Sequence, residues 1–446
     1  MNTSTQPQQK PLAGLRIIDM TMAWAGPMAT RICAYLGADV IHVEGPQRHD
    51  SWRGPLSGGD PRRYPDELFG DRPFDRNCMF NTQNQGKRAI AVDIKQPAGV
   101  TLVKRLARHA DALVANFTPG TLQRLGLDDA ALGEANPNLV VLEMPAFGSF
   151  GPMASHVALG PSMEAASGMA HFVGYGDGRP YVTGPAYLDP IGAFNGAAAL
   201  LTALTARRTG HDVTHVELAQ CEAAMHWIGE LLLAGGEGAD LKPEGNAVDY
   251  AEPHGAYPCA GEDRWVAIAV RGDADWRGLC TVMSDEPFSA EPDLADILVR
   301  RRRRAELREA ISAWTREHAA EDIARALQSH GVPAAPVCDG PAMAHRADLW
   351  TAGFFERLTH SAAGTHWYQG MPLRFGDALV HADRPAPAFG AHTEQILRDL
   401  IGVTDDEYAQ LVADHVVATE PLNLPAPGST PPRASERPPA LTDAKE

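Results

Sequence analysis

The sequence predicts an α/β protein with a doubly wound parallel sheet, followed by a smaller α+β domain. Short apolar strands alternate with helical segments through the first half of the chain. The composition then shifts to Gly, Glu and Asp between residues 235 and 253, which indicates a domain boundary. The 446 residues also exceed what one ordinary core encloses, so we expect two domains. In such a sheet, ligands bind at the carboxyl ends of the strands.

The first predicted domain begins with a strand, a helix that starts near residues 25–27, and a second strand. This order favours a parallel sheet with a right-handed crossover. Residues 45–76 form a long loop rich in Pro, Gly, Arg and Asp, and loops of this length are often functional. The predicted strands are residues 15–19, 39–44, 89–93, 112–115, 139–144 and 213–217, and further helices are expected at 99–109, 189–204 and 219–233.

The second predicted domain contains a buried strand at 265–270 and three helices. We interpret the five consecutive arginines at 300–304 as a solvated first helical turn rather than an anion site. From residue 418 onward, Pro recurs without periodicity, which predicts a disordered tail. The helices are expected near residues 276–283, 304–317 and 320–330.

Composition excludes several classes of protein. The formal charge of −17 argues against a nucleic-acid surface. The sequence contains no apolar run long enough to predict a membrane span. The first ten residues lack the pattern of a secretory or transit peptide. Six scattered cysteines without CxxC spacing favour reduced thiols and a cytoplasmic location, and neither they nor the seventeen histidines show the spacing of a metal site. A GxSxG motif is absent, which disfavours a serine hydrolase.

The Asp189-Pro190 pair precedes a helix that is apolar on more than one face. One interpretation is structural, with Asp189 as the N-cap and Pro190 at the first helical position. The other is functional, because a carboxylate at the mouth of a buried helix, beside small residues such as Gly192, would be partly dehydrated and accessible to a ligand. The local sequence leaves both interpretations open.

Three cations lie close to predicted strands. Lys87 and Arg88 directly precede the strand at 89–93, and Arg124 follows the strand at 112–115. We expect them near one sheet, where loops collect ligands, although solvent-exposed cations would show the same pattern.

A series of short motifs follows one order along residues 10–417. The motifs are PLAGLRIID at 11–19, AGP at 25–27, LGADVI at 36–41, GKR at 86–88, NFTPG at 116–120, LGL at 125–127, FG at 147–148, GP at 151–152 and AFGAHT at 388–393. This series resembles the class III CoA-transferases, also called the CaiB/BaiF family, which includes formyl-CoA transferase and carnitine CoA-transferase. In the family's pattern, the catalytic aspartate falls on Asp189.

The resemblance implies a Rossmann-like large domain that the C-terminal segment completes, a small α+β domain between its two parts, and an interlocked homodimer. It implies no cofactor, since the coenzyme A thioester is a substrate. The expected boundaries are a disordered N-terminus at 1–10, the first part of the large domain at 11–235, the small domain with its linkers at 236–340, a return segment at 341–417 and the disordered tail at 418–446.

The resemblance also implies a reaction, the transfer of CoA from an acyl-CoA donor to a free carboxylic acid through aspartyl anhydride and aspartyl-CoA thioester intermediates. Succinyl-CoA is a candidate donor. An ionised carboxylate needs no general base to attack a thioester. The backbone N–H groups of Gly26 and Gly192 are candidate oxyanion donors. The residues expected to bind CoA are Trp24, Ala25, Lys87, Arg88, Asn116 and Arg124.

Some positions depart from the family's pattern. Trp24 stands where formyl-CoA transferase has glutamine, and Gly45 stands at a CoA-contacting arginine. Other positions resemble the branch that includes succinyl-CoA:benzylsuccinate CoA-transferases, which suggests a larger or aromatic acid. Two alternatives remain. An α-methylacyl-CoA racemase would need a histidine where this chain has Gly160-Pro161-Ser162, and His156 is out of register. The chain could also be one subunit of a heteromeric CoA-transferase.

Overall fold

The computed structural model describes residues 10–424, apart from the side chain of Ala378. Two compact units divide the chain. Unit 1 takes the described parts of residues 1–167, 184–229 and 349–446, and unit 2 takes 168–183 and 230–348. Three ranges that were expected in the large domain belong to unit 2, namely 168–183, 230–235 and 341–348.

The strands are β1 (Arg16–Asp19), β2 (Asp39–Glu44), β3 (Arg88–Val92), β4 (Ala112–Ala115), β5 (Val140–Glu143), β6 (His215–Glu217), β7 (His254–Pro258), β8 (Trp265–Ala269), β9 (Ala334–Pro336), β10 (Phe355–His360), β11 (Gly364–Gln369), β12 (Arg374–Phe375), β13 (Ala378–Leu379) and β14 (Val417–Ala418).

The α-helices are α1 (Ala25–Tyr35), α2 (Pro73–Arg76), α3 (Cys78–Gln83), α4 (Pro97–Ala107), α5 (Thr121–Arg124), α6 (Asp129–Ala135), α7 (Gly160–Ala166), α8 (Met169–Phe172), α9 (Leu188–Arg208), α10 (Gln220–Met225), α11 (Gly229–Gly236), α12 (Asp273–Val282), α13 (Ile297–Arg302), α14 (Arg304–Thr315), α15 (Ala320–Ser329), α16 (Gly340–Ala344), α17 (Ala347–Thr351), α18 (Thr393–Asp399) and α19 (Asp405–Ala413).

Unit 1 is built on a seven-stranded sheet with the order β14-β3-β2-β1-β4-β5-β6. All neighbours pair in parallel except β14, which runs antiparallel to β3 at the edge. The predicted α/β class with a mostly parallel sheet is confirmed. Because β1 connects to β2 on one side and lies beside β4 on the other, the strand order reverses between β1 and β4. In doubly wound sheets, this reversal opens a crevice at the carboxyl ends of the strands.

Alternate residues of each strand pack on opposite faces of the sheet, as the period of two requires. Ile18 of β1 belongs to a core with α4, α6 and α18, whereas Ile17 belongs to a second core with α1 and α9. Helices therefore cover both faces. One face of α9 packs into this second core, whereas Phe194, Ala198 and Thr202 on the opposite face are exposed, so the expectation of a helix buried on both faces is wrong.

Several predicted details differ in the structure. Helix α9 begins at Leu188 with Tyr187 as its N-cap, so Asp189 lies inside the first turn rather than at the cap, and Pro190 is not the first helical residue. The disorder predicted at 418–424 is also wrong, because β14 includes Ala418 and the Leu422 N–H bonds to the Pro46 carbonyl. Lys10 contacts Asp383. The other residues predicted to be disordered, 1–9 and 425–446, lie outside the described part of the chain.

Unit 2 contains an antiparallel sheet of β7, β8 and β9 and its own apolar core with α12, α14 and α15. The arginines at 300–304 are not simply solvated. Arg300 is fully buried and donates to three backbone carbonyls, while Arg301, Arg303 and Arg304 pair with carboxylates. The run therefore serves the packing of unit 2.

A buried ion cluster lies beneath the carboxyl end of β1. The Asp19 carboxylate accepts hydrogen bonds from Lys87 Nζ at 2.8 Å and Thr30 Oγ1 at 2.9 Å, and His42 Nδ1 lies 3.1 Å away. Burial alone would raise the pKa of Asp19, but the charges of Lys87 and His42 hold it well below its ordinary range. Lys87 also donates to the Pro27 carbonyl and to Asn84.

Within residues 10–424, the structure contains no helix that is both long and apolar enough to cross a lipid bilayer.

Candidate active site

A cavity of about 540 Å³ opens at the carboxyl ends of the parallel strands, where the strand order reverses. Every residue that lines it belongs to unit 1. Its volume is in the range of small-molecule sites. The walls come from segments that follow successive strands, within residues 20–25 after β1, 43–50 around the end of β2, 93–95 after β3, 116–125 after β4 and 146–163 after β5, together with Asp189 and Gln220.

Asp189 projects into this cavity from the first turn of α9. Its carboxylate accepts a hydrogen bond from the backbone N–H of Ala25, the first residue of α1. Burial raises the pKa of Asp189 to about 6, the Ala25 hydrogen bond opposes the rise, and the nearby charge of Glu164 adds to it. At neutral pH the group is still mostly ionised, and it is a stronger base than an ordinary aspartate.

Helix α7 confines the Asp189 carboxylate. A methyl group built on Gly160 would lie 2.2 Å from Asp189 Oδ2, so the absence of a side chain at this position makes room for the carboxylate. Glu164, one turn further along α7, is buried and accepts a hydrogen bond from the Tyr187 N–H at 2.8 Å. This contact fixes the residue that caps α9, two positions before Asp189.

Three cations line other walls of the cavity. Arg48 follows β2, Lys95 follows β3 and Arg124 follows β4, and all three are exposed. Arg124 donates to the Thr121 hydroxyl, and among the described residues none of the three forms an ion pair with a carboxylate. The cations are therefore available to an anionic ligand. The wall after β5, by contrast, is mainly apolar, with Ala146, Val157, Leu159 and Met163.

The structure brings together four of the residues predicted from sequence. Asp189, Ala25, Asn116 and Arg124 all line the cavity. Asn116 in addition binds the backbone of Met22, accepting from its N–H at 2.9 Å and donating to its carbonyl at 2.8 Å.

Lys87, Arg88 and Trp24 are not among the residues that line the cavity. The fully buried Lys87 ammonium is bound within the Asp19 cluster, so the expected contact with CoA is corrected to an internal ion pair. Arg88 forms a two-pronged ion pair with Asp39. Trp24 packs against Trp52, with 5.2 Å between the ring centroids.

The two glycines proposed as oxyanion donors have another use in the structure. Gly192 is the fifth residue of α9, so its N–H belongs to the hydrogen-bond ladder of the helix. A methyl group at Gly192 would lie 2.7 Å from Gln220 Oε1, and one at Gly26 would lie 2.3 Å from Thr21 Cβ. Both positions thus allow close packing, and the backbone donor that the structure places on Asp189 is Ala25.

Sequence reasoning missed Arg48, Lys95 and Asp50 in the cavity wall. Arg48 lies three residues after Gly45, the position of the family's arginine, and its N–H bonds to the Gly45 carbonyl. A search of the neighbouring loop positions for a replacement cation would have found it. The sequence contains no comparable signal for Asp50.

Together these residues form a cavity with a basic carboxylate, an apolar wall beside it and cations on other walls. A carboxylate of this kind can attack an activated carbonyl without a separate base. The Ala25 N–H, at the N-terminus of α1, is a hydrogen-bond donor aimed at the reacting group. Exposed arginine and lysine side chains are suited to phosphate groups.

Known proteins resemble this chain along most of its length. The chain is 29% identical over 420 residues to a protein of Mycobacterium tuberculosis named probable CoA-transferase. The match covers 91% of this chain but only 50% of that relative's length. It is 28% identical over 418 residues to the succinyl-CoA–D-citramalate CoA-transferase of Chloroflexus aurantiacus, covering 93% of this chain and 100% of that enzyme.

The crystal structure of a CaiB/BaiF family protein from Brucella suis is similar over 88% of this chain and 100% of that one, with 26% identity and a TM-score of 0.77. The family model described as CoA-transferase family III matches residues 12–393. The resemblance seen in the sequence motifs is thereby confirmed, and the chain belongs to CoA-transferase family III.

Proposed function

We propose that this protein transfers CoA from an acyl-CoA to a free carboxylic acid, with Asp189 as the nucleophile. The observation that carries the proposal is the Asp189 carboxylate itself, mostly ionised at neutral pH, with its pKa raised to about 6, bound by the Ala25 N–H in the wall of the cavity. A carboxylate of raised pKa is a better nucleophile than an ordinary one and still needs no base to activate it.

In the first half-reaction, an Asp189 carboxylate oxygen attacks the thioester carbonyl carbon. The carbon–sulfur bond breaks, CoA leaves as a thiolate, and a mixed anhydride joins Asp189 to the acyl group. The thiolate then attacks the aspartyl carbonyl carbon of the anhydride, which releases the donor acid as a carboxylate. Asp189 now carries CoA as a thioester, and no proton has been transferred.

In the second half-reaction, the acceptor carboxylate attacks the aspartyl thioester and displaces the CoA thiolate. The thiolate attacks the acceptor's acyl carbon in the new anhydride, which releases the acceptor as its CoA thioester and restores the Asp189 carboxylate. Anhydrides hydrolyse readily, so water must be kept from them. The buried Met163 in the wall after β5 supports this requirement.

The cations of the cavity support a site for the phosphates of CoA. Arg48, Lys95 and Arg124 follow β2, β3 and β4, and their charges would oppose the phosphates from several walls of the cavity. Arg48 would replace the arginine that the family has at the position of Gly45. We propose succinyl-CoA as the donor, because a relative that matches over its whole length is named for that thioester. A homodimer is also proposed, from the family resemblance.

The proposed mechanism is tested by trapping. The purified protein is incubated with succinyl-CoA and a panel of carboxylic acids, quenched with hydroxylamine, and digested for mass spectrometry. We expect an aspartyl hydroxamate confined to Asp189 and absent from Asp189→Asn. Turnover by the single purified chain would exclude the heteromeric alternative. A protein that transfers CoA without any trapped adduct would contradict the covalent mechanism.

A second candidate function is racemisation of a 2-methylacyl-CoA. It is favoured by one observation, that His156 lines the same cavity as Asp189 and could serve as a second acid or base. The test is exchange of the α-proton with deuterated water. Exchange that requires both Asp189 and His156, without CoA transfer to any acid, would favour the racemase.

A further inference from the structure

The turn that precedes α1 has a backbone conformation that must be held in place. Ala23 has a φ of 67°, in the left-handed region where a Cβ is unfavourable. Two residues later, Ala25 begins α1 and directs its N–H to Asp189. The direction of this N–H therefore depends on the strained turn at residues 22–25.

Asn116 binds one end of the turn. It lies directly after β4, at the point where the strand order reverses, and both halves of its side-chain amide are used on Met22. The carboxamide oxygen accepts the Met22 N–H while the carboxamide nitrogen donates to the Met22 carbonyl. This double contact fixes both the position and the orientation of the peptide groups that enter the turn.

Asp50 binds the strained residue itself. Its two carboxylate oxygens lie 3.1 and 3.2 Å from the Ala23 nitrogen, and one of them also accepts the Trp52 N–H. Asp50 is held in turn, since its own N–H donates to Glu44, whose carboxylate is bound by the buried Arg53. The carboxylate that holds the turn is therefore anchored to the interior of unit 1.

We propose that Asp50 and Asn116 are positioning residues that lock the turn at residues 22–25, so that the Ala25 N–H is aimed at the Asp189 carboxylate. This inference rests on the proposed function of Asp189 as the nucleophile. The Ala25 hydrogen bond lowers the pKa of Asp189 against the effect of burial, so a misplaced turn leaves a more basic carboxylate that is less ionised at neutral pH.

The test uses Asp50→Ala and Asn116→Leu in the full chain. Asp60→Ala is the matched control, because Asp60 also accepts a backbone N–H at the start of a short 3₁₀ turn but does not line the cavity. The pKa of Asp189 is measured by infrared difference titration against Asp189→Asn in each background, and kcat and KM are measured across pH.

We expect Asp50→Ala and Asn116→Leu each to raise the pKa of Asp189 by about 0.5–1 unit and to lower kcat by about 10- to 100-fold, with a smaller change in KM. Removal of a carboxylate cannot by itself raise the pKa of Asp189, so a rise in Asp50→Ala identifies the lost hydrogen bond. Glu164 on α7 and His156 in the wall after β5 also face this region, and both are unchanged in these variants. Asp60→Ala should leave both measurements unchanged.

A double variant gives a second measurement. Since Asp50 and Asn116 hold the same turn, their combined effect on kcat should be well below the product of the single effects. An unchanged or lowered pKa of Asp189 in both single variants, or fully multiplicative effects on kcat, would overturn the proposal. If Asp50→Ala does not fold, Asn116→Leu and Ala23→Val test the same turn.

The infrared titration does not depend on turnover. If Asp50→Ala and Asn116→Leu raise the pKa of Asp189 but the protein transfers no CoA, the proposed function is contradicted and the positioning role stands. If the protein transfers CoA but neither substitution raises the pKa, the positioning role is contradicted and the proposed function stands.

Discussion

Asp19 and Asp189 both lie near the carboxyl ends of the parallel strands, and each is withdrawn from solvent, yet their surroundings differ. Asp19 is enclosed with Lys87 and His42 and also accepts from two threonine hydroxyls. Asp189 has one backbone donor, Ala25, and its charged neighbour is the carboxylate of Glu164. The first carboxylate has its pKa held far below the ordinary range, while the pKa of the second is raised to about 6.

The comparison shows that burial by itself does not decide what an aspartate does. A buried carboxylate with cationic partners is stabilised as an anion and becomes part of the framework. One with few donors and a like charge nearby is left more basic, which suits a nucleophile. The cations follow the same division, because Lys87 is used within the core while Arg124 is exposed at the cavity.

The largest expected effect is that of Asp189→Asn on activity, a loss of roughly 10⁴-fold or more, because the amide is not nucleophilic. The same substitution should increase the stability of the protein. The folded-state pKa lies above the ordinary value of 3.8, so the ionised group lowers stability above about pH 6 and this penalty disappears as the pH falls below 3.8. Thermal unfolding of Asp189→Asn should therefore show a stability gain of roughly 1–3 kcal/mol near pH 7.5 and a much smaller gain near pH 4. An equal gain in stability over the unaltered protein at both pH values would contradict the raised pKa of Asp189.

Lys87→Met should lower the free energy of unfolding by about 3–5 kcal/mol, because it leaves the Asp19 carboxylate buried without its main cation. The pKa of Asp19 is lowered in the folded state, so the stability this group contributes is present above its ordinary value of 3.8 and is lost only in stronger acid. Urea unfolding at pH 7 measures the loss.

Arg124→Gln is the matched control for Lys87→Met, because Arg124 is exposed and should change stability by no more than about 0.5 kcal/mol. It should instead raise KM for the acyl-CoA. A stable Lys87→Met protein with weakened CoA binding would show that Lys87 belongs to the substrate site after all.

Gly160→Ala should lower kcat by about 10²- to 10³-fold, since the added methyl group would displace the Asp189 carboxylate from a position only 2.2 Å away. Gly133→Ala in α6 provides the control, because a methyl group there meets nothing within 4 Å. The control should be neutral or stabilising by about 0.5–1 kcal/mol. Steady-state kinetics and thermal unfolding of both variants separate the two effects, and a fully active Gly160→Ala enzyme would contradict the confinement of Asp189 by α7.

The smallest expected effect is that of Glu164→Gln. The glutamine oxygen can still accept the Tyr187 N–H, but the negative charge near Asp189 is removed, so the pKa of Asp189 should fall by less than about one unit. The acid limb of the pH dependence of kcat should move to lower pH, the reverse of the shift expected for Asp50→Ala. A move to higher pH would mean that Glu164 acts on Asp189 by some means other than its charge.

Local sequence was sufficient where a strand is buried on both faces. Residues 39–44 and 112–115 were predicted with the bounds that the structure gives to β2 and β4, because short, mostly apolar runs of this length are typical of buried strands. The hairpin of β10 and β11 was not predicted, because its residues do not follow a regular apolar and polar alternation: His360 is buried and Trp367 is exposed. Ala418 of β14 was assigned to a disordered tail, because residues 417 and 418 form a strand only by pairing with β3, far away in the sequence.

The site residues that lie in the family's motifs were predictable from the sequence, and the others were not. Asp189 and Arg124 were identified by the family pattern, whereas Lys87 was misplaced because a lysine before a strand can point either to the cavity or beneath the sheet. The deciding partner, Asp19, is 68 residues away in the sequence. Arg48 and Lys95 were missed because the direction of a loop side chain depends on the folded loop.

The antiparallel edge strand β14 has a consequence for the order in which the molecule can form. Its partner β3 is synthesised more than 300 residues earlier and must keep one edge unpaired until the end of the chain arrives. Residues 230–348, most of unit 2, leave the ribosome before that closing strand exists. The inserted unit can therefore fold during translation, while the sheet that carries the cavity is completed only afterwards.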